Sequence, residues 1–190
     1  MSESMSKKYP FPQKKKDDGT PPDVRSFELL SEWRDGLEGN KGDRAALRRA
    51  SSLAEVMFVP SFHIFINKLR NENYAIPDKT LPKLAAIAGL AARLKKDVQG
   101  KLGEQLGTPN ASEKPLLSEL RMRRILACDD LEELYTLLRR ALSIVDGAAS
   151  LSDLALTVWN WMPLDEKRPF DYRRRLAFDY YAAAPISSNS

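Results

Sequence analysis

One stripe of apolar residues limits what this chain can fold into. Beyond Pro82, the residues Leu84, Ile87, Ala88, Ala91, Leu94 and Val98 fall at i, i+3, i+4, i+7, i+10 and i+14. That is the spacing of one helix face, not the two-residue alternation of a strand. Asp78 or Thr80 is placed to cap this helix and Gly100 to stop it.

The same period recurs along most of the chain. Phe27, Leu30, Trp33 and Leu37 mark a first helix from about Asp23, broken at Gly39-Asn40, and a short second helix runs from about Asp43 to Ala50. Ser52 with Glu55 three residues on reads as a capping box, and Pro60 opens a helix through Phe62, Phe65, Ile66 and Leu69. Further helices are expected over about 116–127 and 130–144. The second of these carries Leu131, Leu134, Tyr135, Leu138, Ala141 and Leu142 on one side. Its acidic opening, Asp129-Asp130 with Glu132-Glu133, suits a positive helix N-terminus. Ser150 or Ser152 caps the next helix, with Leu151, Leu154, Ala155, Val158 and Met162 in register and Pro163 as its end. A last helix carries Phe170, Arg173 to Arg175, Ala177, Phe178, Tyr180 and Tyr181.

No stretch sustains strand alternation with hairpin signals. The expected fold is all-α, a helical bundle in two small halves over 23–99 and 116–184. The stretch 100–115, with Gly103, Gly107, Pro109 and Asn110, reads as the loop between them. Residues 1–22 are polar, carry Lys14-Lys15-Lys16 and bury too little apolar surface to offset their ordering entropy. They are expected to form a disordered basic tail, and Pro185 to Ser190 to fray.

Composition narrows the function. The chain has 190 residues, 43% of them hydrophobic, enough for a buried core. It has no run of 18 apolar residues to span a membrane and no signal-peptide stretch, so a cytoplasmic protein is expected. The single cysteine, Cys128, excludes an intramolecular disulfide and reads as a buried, inert thiol. His63 is the one histidine, and beside Phe62 and Phe65 it reads as structural rather than as a general base. One Cys and one His do not supply a zinc set, and no phosphate-loop, dinucleotide or nucleophile-elbow motif is present. The carboxylates gather at helix starts, where capping accounts for them. No catalytic residue, metal or cofactor is expected. A metal-dependent nuclease built on those carboxylates remains a minor alternative that no spacing supports.

The net charge is small, 30 Lys and Arg against 26 Asp and Glu, but the arginines cluster: Arg48-Arg49, Arg123-Arg124, Arg139-Arg140 and Arg173-Arg174-Arg175. Two readings stay open. Such pairs broaden a basic face that can grip phosphate oxygens without reading sequence, or they solvate an outer face and pair with neighbouring acids. Trp33, Trp159, Trp161, Tyr180 and Tyr181 could stack on bases, but they fall in or beside apolar faces, and core packing is expected.

Three groups of segments, in order, carry a resemblance. The first is Gly42-Asp-Arg-Ala-Ala-Leu-Arg-Arg-Ala50 with Val59-Pro-Ser-Phe-His63. The second is Leu120-Arg-Met-Arg-Arg-Ile-Leu-Ala-Cys-Asp129 running on to Leu137-Leu-Arg-Arg-Ala-Leu142, and the third is Leu154 to Trp161 with Phe178-Asp-Tyr-Tyr181. Together, from about Trp33 to Tyr181, they resemble the CasB family, the small subunit of the type I-E CRISPR complex Cascade. Ser61 and His63 depart from the small residue and tyrosine usual around the family's Pro-x-Phe.

The resemblance implies a non-catalytic, helical two-part protein, present as two copies head to tail beside other Cascade subunits and guide RNA. It implies contacts to single-stranded and heteroduplex nucleic acid in an R-loop, where base pairing reads sequence and protein contacts tip a nearly balanced strand exchange. Carried onto this chain, the phosphate contacts are expected at Arg48, Arg123, Arg124, Arg139, Arg140, Arg173 and Arg174. Arg49, Arg121 and Arg175 follow, and Lys95 and Lys96 are weaker candidates. The competing reading is a helical protein–protein adaptor with no nucleic-acid role.

Overall fold

The helical period becomes ten α-helices among the residues described by the computed structural model, which are 8–11, 23–162 and 171–185. In chain order they are α1 (Arg25–Gly36), α2 (Lys41–Arg49), α3 (Leu53–Met57), α4 (Pro60–Asn71), α5 (Leu81–Ala91), α6 (Leu102–Gly107), α7 (Glu119–Leu126), α8 (Leu131–Ile144), α9 (Leu151–Trp161) and α10 (Asp171–Ala183). The all-α expectation holds.

The stripe beyond Pro82 becomes the centre of the molecule. Every residue from Lys83 to Ala92 is buried, not only the stripe itself, because α5 packs against α2, α3, α4, α8 and α9. A helix enclosed on all sides needs no polar face, and the Ala-rich sequence of α5 supplies none. One continuous apolar cluster joins the two halves of the chain, from Phe11 through Leu94 to Tyr180. Trp33, Trp159, Trp161 and Tyr180 all lie in it, while Tyr181 is half exposed.

Local signals set the helix starts as expected. Ser52 accepts a hydrogen bond from the Glu55 amide (3.2 Å), Asp130 from that of Glu133 (2.8 Å) and Ser150 from that of Asp153 (3.2 Å). The Glu55 carboxylate reaches back one residue further than a capping box requires, to the Ser51 amide (2.6 Å). Thr80 does not cap α5; its hydroxyl donates to the Pro77 carbonyl (2.6 Å).

Three expectations are corrected. The helix of α5 stops at Ala91, well before Gly100. The chain instead turns so that the Lys95 amide donates to the Gly147 carbonyl (2.9 Å), and β1 (Lys96–Asp97) pairs in parallel with β2 (Ala148–Ala149). Two-residue strands are too short to show alternation. Second, α6 occupies part of the expected 100–115 loop. Gly107 is there for close packing rather than for a break, since a Cβ would collide with the Tyr180 carbonyl of α10. Third, residues 8–11 are placed: Phe11 is fully buried, its amide donates to the Ser26 hydroxyl (3.0 Å), and its ring meets Phe27 and Trp159. An aromatic inside a polar tail can anchor its neighbours by burial. The remainder of 1–22, with Lys14 to Lys16, lies outside the described residues, as do Pro163 and Phe170. No helix among the described residues is long and apolar enough to cross a membrane.

Candidate nucleic-acid interface

The site begins with a missing side chain. Gly89 lets α5 approach α8 closely: a Cβ there would lie 2.5 Å from the Tyr135 hydroxyl and 2.9 Å from Val56 Cγ2. Tyr135 is fully buried and donates to the Ala50 carbonyl just beyond α2 (3.1 Å). One helical turn past each member of this pair stands an arginine, Arg93 after Gly89 and Arg139 after Tyr135. The Arg139 guanidinium lies 5.3 Å from the Tyr135 ring centre. Arg93 donates to the carbonyl of Arg48 at the end of α2, where a cation suits the helix C-terminus.

Arg48, Arg93 and Arg139 thus line one cavity of about 230 Å³, with Lys95 and Asp146 at the same hollow. Burial, then the like charge of Arg139 and of Arg48, holds the Arg93 guanidinium below its ordinary pKa. The Nε atoms of Arg93 and Arg139 are buried without a hydrogen-bond partner among the described residues. Buried donors without acceptors are costly, and a phosphate would supply acceptors to this cluster.

A second cavity, of about 420 Å³, opens between α7 and α8 and is lined by Arg121, Arg124 and Arg140 over Ile125, Leu137 and Ala141. Ser143 of α8 walls both cavities, so α8 carries Arg139 toward one and Arg140 toward the other. Arg124 also reaches Glu133 (3.2 Å), an exposed pair of little worth. Among the described residues, Arg48, Arg49, Arg93, Arg121, Arg139 and Arg140 form no ion pair.

The other expected arginines have different neighbours. Arg123 is exposed and pairs with Glu119 one turn back (2.6 Å). Arg173 has a side chain only 14% exposed; it binds Asp129 (2.7 Å) and lies 5.2 Å from the Trp161 ring centre. Arg175 turns to Asp153 and Asp179, and Arg174 and Arg49 are exposed. The fold therefore gathers Arg48, Arg121, Arg124, Arg139 and Arg140 into one basic band, sets Arg123 in an exposed pair, and uses Arg173 and Arg175 to tie α10 to its neighbours. Sequence reasoning missed Arg93. Its signal was the basic run Arg93-Leu94-Lys95-Lys96 at the end of an apolar helix.

The remaining candidates are structural. Cys128 is 2% exposed, with burial raising its pKa, and its thiol donates to the Asp130 carbonyl. His63 is exposed, with its ring edge-on to Phe62 (centroids 5.6 Å apart) and Nε2 2.8 Å from the Met57 carbonyl oxygen. Among the described residues no group of His, Cys, Asp and Glu side chains could hold a metal ion.

Comparison with known proteins gives two findings. The family model described as CRISPR-associated protein Cse2 matches residues 43–181, a span that contains every arginine of the band. A chain in the crystal structure of E. coli Cascade bound to a PAM-containing double-stranded DNA target superposes with a TM-score of 0.59 at 19% identity, over 83% of this chain and 94% of that one. At that identity the likeness is one of fold. No curated protein matches the sequence.

Proposed function

The chain belongs to the CRISPR-associated Cse2 family, and from that premise we propose that it is a non-catalytic, cytoplasmic Cascade subunit whose basic band holds nucleic-acid backbone in the R-loop. The observation that carries this reading is that Arg48, Arg93, Arg121, Arg139 and Arg140, on two adjoining cavities, form no ion pair among the described residues. Like charges so placed destabilise a free protein and are relieved by a polyanion. The band grips phosphate rather than base edges, so the strand's sequence is irrelevant to it. That is the service an R-loop needs, because pairing with the guide already reads the sequence.

In this reading the partners are guide RNA, other Cascade subunits, a second copy of this chain, and the displaced strand together with the heteroduplex. Arg48, Arg93, Arg121, Arg124, Arg139 and Arg140 make the principal phosphate contacts, and Arg49, Arg123 and Arg174 lie at the margins. The exposed apolar side chains Phe58, Leu120 and Phe178 suit contacts to other subunits.

The test is binding of the purified protein, and of the assembled complex, to fluorescent oligonucleotides of unrelated sequence between about 50 and 200 mM salt. Affinity should be sequence-tolerant and fall with a log–log slope of roughly −0.7 per phosphate on single strands, and −0.9 on duplex. Absence of salt-sensitive binding in both states would overturn the reading in favour of a protein–protein adaptor.

A further inference from the structure

The cavity of Arg48, Arg93 and Arg139 contains one acid. Asp146 alone among its described lining residues is a carboxylate, and it is hydrogen-bonded and ion-paired to Lys95 rather than to any of the three arginines. Backbone fixes the pair in place. The amides of Lys95 and Lys96 both donate to the Gly147 carbonyl (2.9 and 3.3 Å), and the Gly147 amide donates to the Leu142 carbonyl at the end of α8 (2.8 Å). Asp146 itself takes a left-handed conformation, φ 49°. Its side chain is 86% exposed and that of Lys95 54% exposed, so the pair lies in solvent at the edge of a cavity in which Arg93 and Arg139 are part-buried and Arg48 is exposed. Exposed pairs of this kind are weak and readily exchanged.

Arg93 and Arg139 therefore form no ion pair among the described residues, while the outer lysine has one built in. A strand backbone arriving at Arg93 and Arg139 brings its phosphates within reach of Lys95, and the Asp146 carboxylate and the phosphate then compete for one ammonium. Resting on the backbone-holding reading above, we propose that Asp146 is an internal counter-ion, occupying Lys95 in the free protein and displaced by a backbone phosphate on binding. It weakens capture of stray polyanions by the free chain and is overcome when several phosphates engage the band together. Lys95 is then a strand contact that is masked until the strand arrives.

The experiment is a double-mutant cycle on the full chain, read by titration with a fluorescent single-stranded oligonucleotide of unrelated sequence. Asp146→Asn and Asp146→Gly both remove the charge and tolerate the left-handed backbone, so either can stand if the other fails to fold. Each should bind about threefold more tightly than the wild type with an unchanged salt slope, because Lys95 engages a phosphate in both complexes and only the cost of displacing Asp146 is removed. In a Lys95→Met background the same substitutions should give less than half that gain, because the pair they release no longer exists. Equal gains in the two backgrounds would show a general charge effect with the pair unbroken, and would overturn the proposal. Wild-type binding that Asp146→Asn leaves unchanged would also overturn it while leaving the backbone-holding reading standing. A wild type without affinity, free or assembled, would overturn both.

Discussion

Arg140 and Arg173 have the same side chain and opposite surroundings. Arg140 is exposed, lines a cavity and has no ion pair among the described residues, whereas Arg173 is mostly buried between Asp129 and the Trp161 ring. Asp129 is itself 82% exposed, so the ion pair contributes little and most of the stabilisation comes from packing and the cation–π contact. Arg173→Gln should therefore lower unfolding free energy by about 1–2 kcal/mol, in denaturant melts, and leave strand affinity unchanged. Arg140→Gln should do the reverse. Lys83 is a third case. Its ammonium, on a residue 5% exposed, donates to the carbonyls of Trp159 (2.7 Å) and Met162 at the end of α9. Burial lowers its pKa to about 8. Between that value and the ordinary lysine range near 10.5 the unfolded chain holds a proton that the folded chain has shed, so this residue's contribution to stability rises with pH across the window. Melts of wild type and Lys83→Met at pH 7.5 and 9.5 should show the difference moving toward the wild type by about 1–2 kcal/mol.

At the scale of elements, two glycines separate fold from site. Gly107 lets α6 lie against α10, and Gly89 lets α5 lie against α8. A methyl group at either has no room, and overpacking of this kind costs about 1–3 kcal/mol. Gly89→Ala has a second consequence, since of the helix pair it forces apart α8 carries Arg139 one turn further on and α5 leads directly into the turn that holds Arg93. Gly89→Ala should weaken strand binding as well as stability, without touching an arginine, while Gly107→Ala should lower stability alone. Thermal melts paired with oligonucleotide titration check both. Equal strand affinity for the two folded variants would mean that the α5–α8 approach does not set the site.

The whole molecule decides whether the two cavities act as one. Arg139 and Arg140 are adjacent on α8 and Ser143 walls both hollows, so one strand can pass from the Arg93 side to the Arg124 side. Replacing Arg93, Arg139, Arg124 and Arg140 together by Gln should flatten the single-strand salt slope by up to about 3, at roughly 0.7 for each phosphate no longer neutralised. In an assembled complex it should shorten R-loop lifetime while circular dichroism stays helical. An unchanged lifetime in a fully assembled complex would place the strand elsewhere.

Local sequence determined most of the helices and several of their starts, though not α6 or the start of α5, because a helix face and a cap are set by residues within one or two turns: the α8 stripe from Leu131 to Leu142, and the caps Ser52, Asp130 and Ser150. It also marked the arginine pairs and, through segment order, the family. Only tertiary structure decided which helix ran all the way through the core, that Gly107 was a close approach instead of a break, and that a lone Phe11 was buried. It alone brought Arg48, Arg93 and Arg139 from three distant segments to one cavity and turned Arg173 and Arg175 toward carboxylates. The physical reason is that a 3.6-residue period fixes which side chains share a face but not which faces meet. That choice is made by long-range packing, where a single missing Cβ at Gly89 lets two helices approach closely.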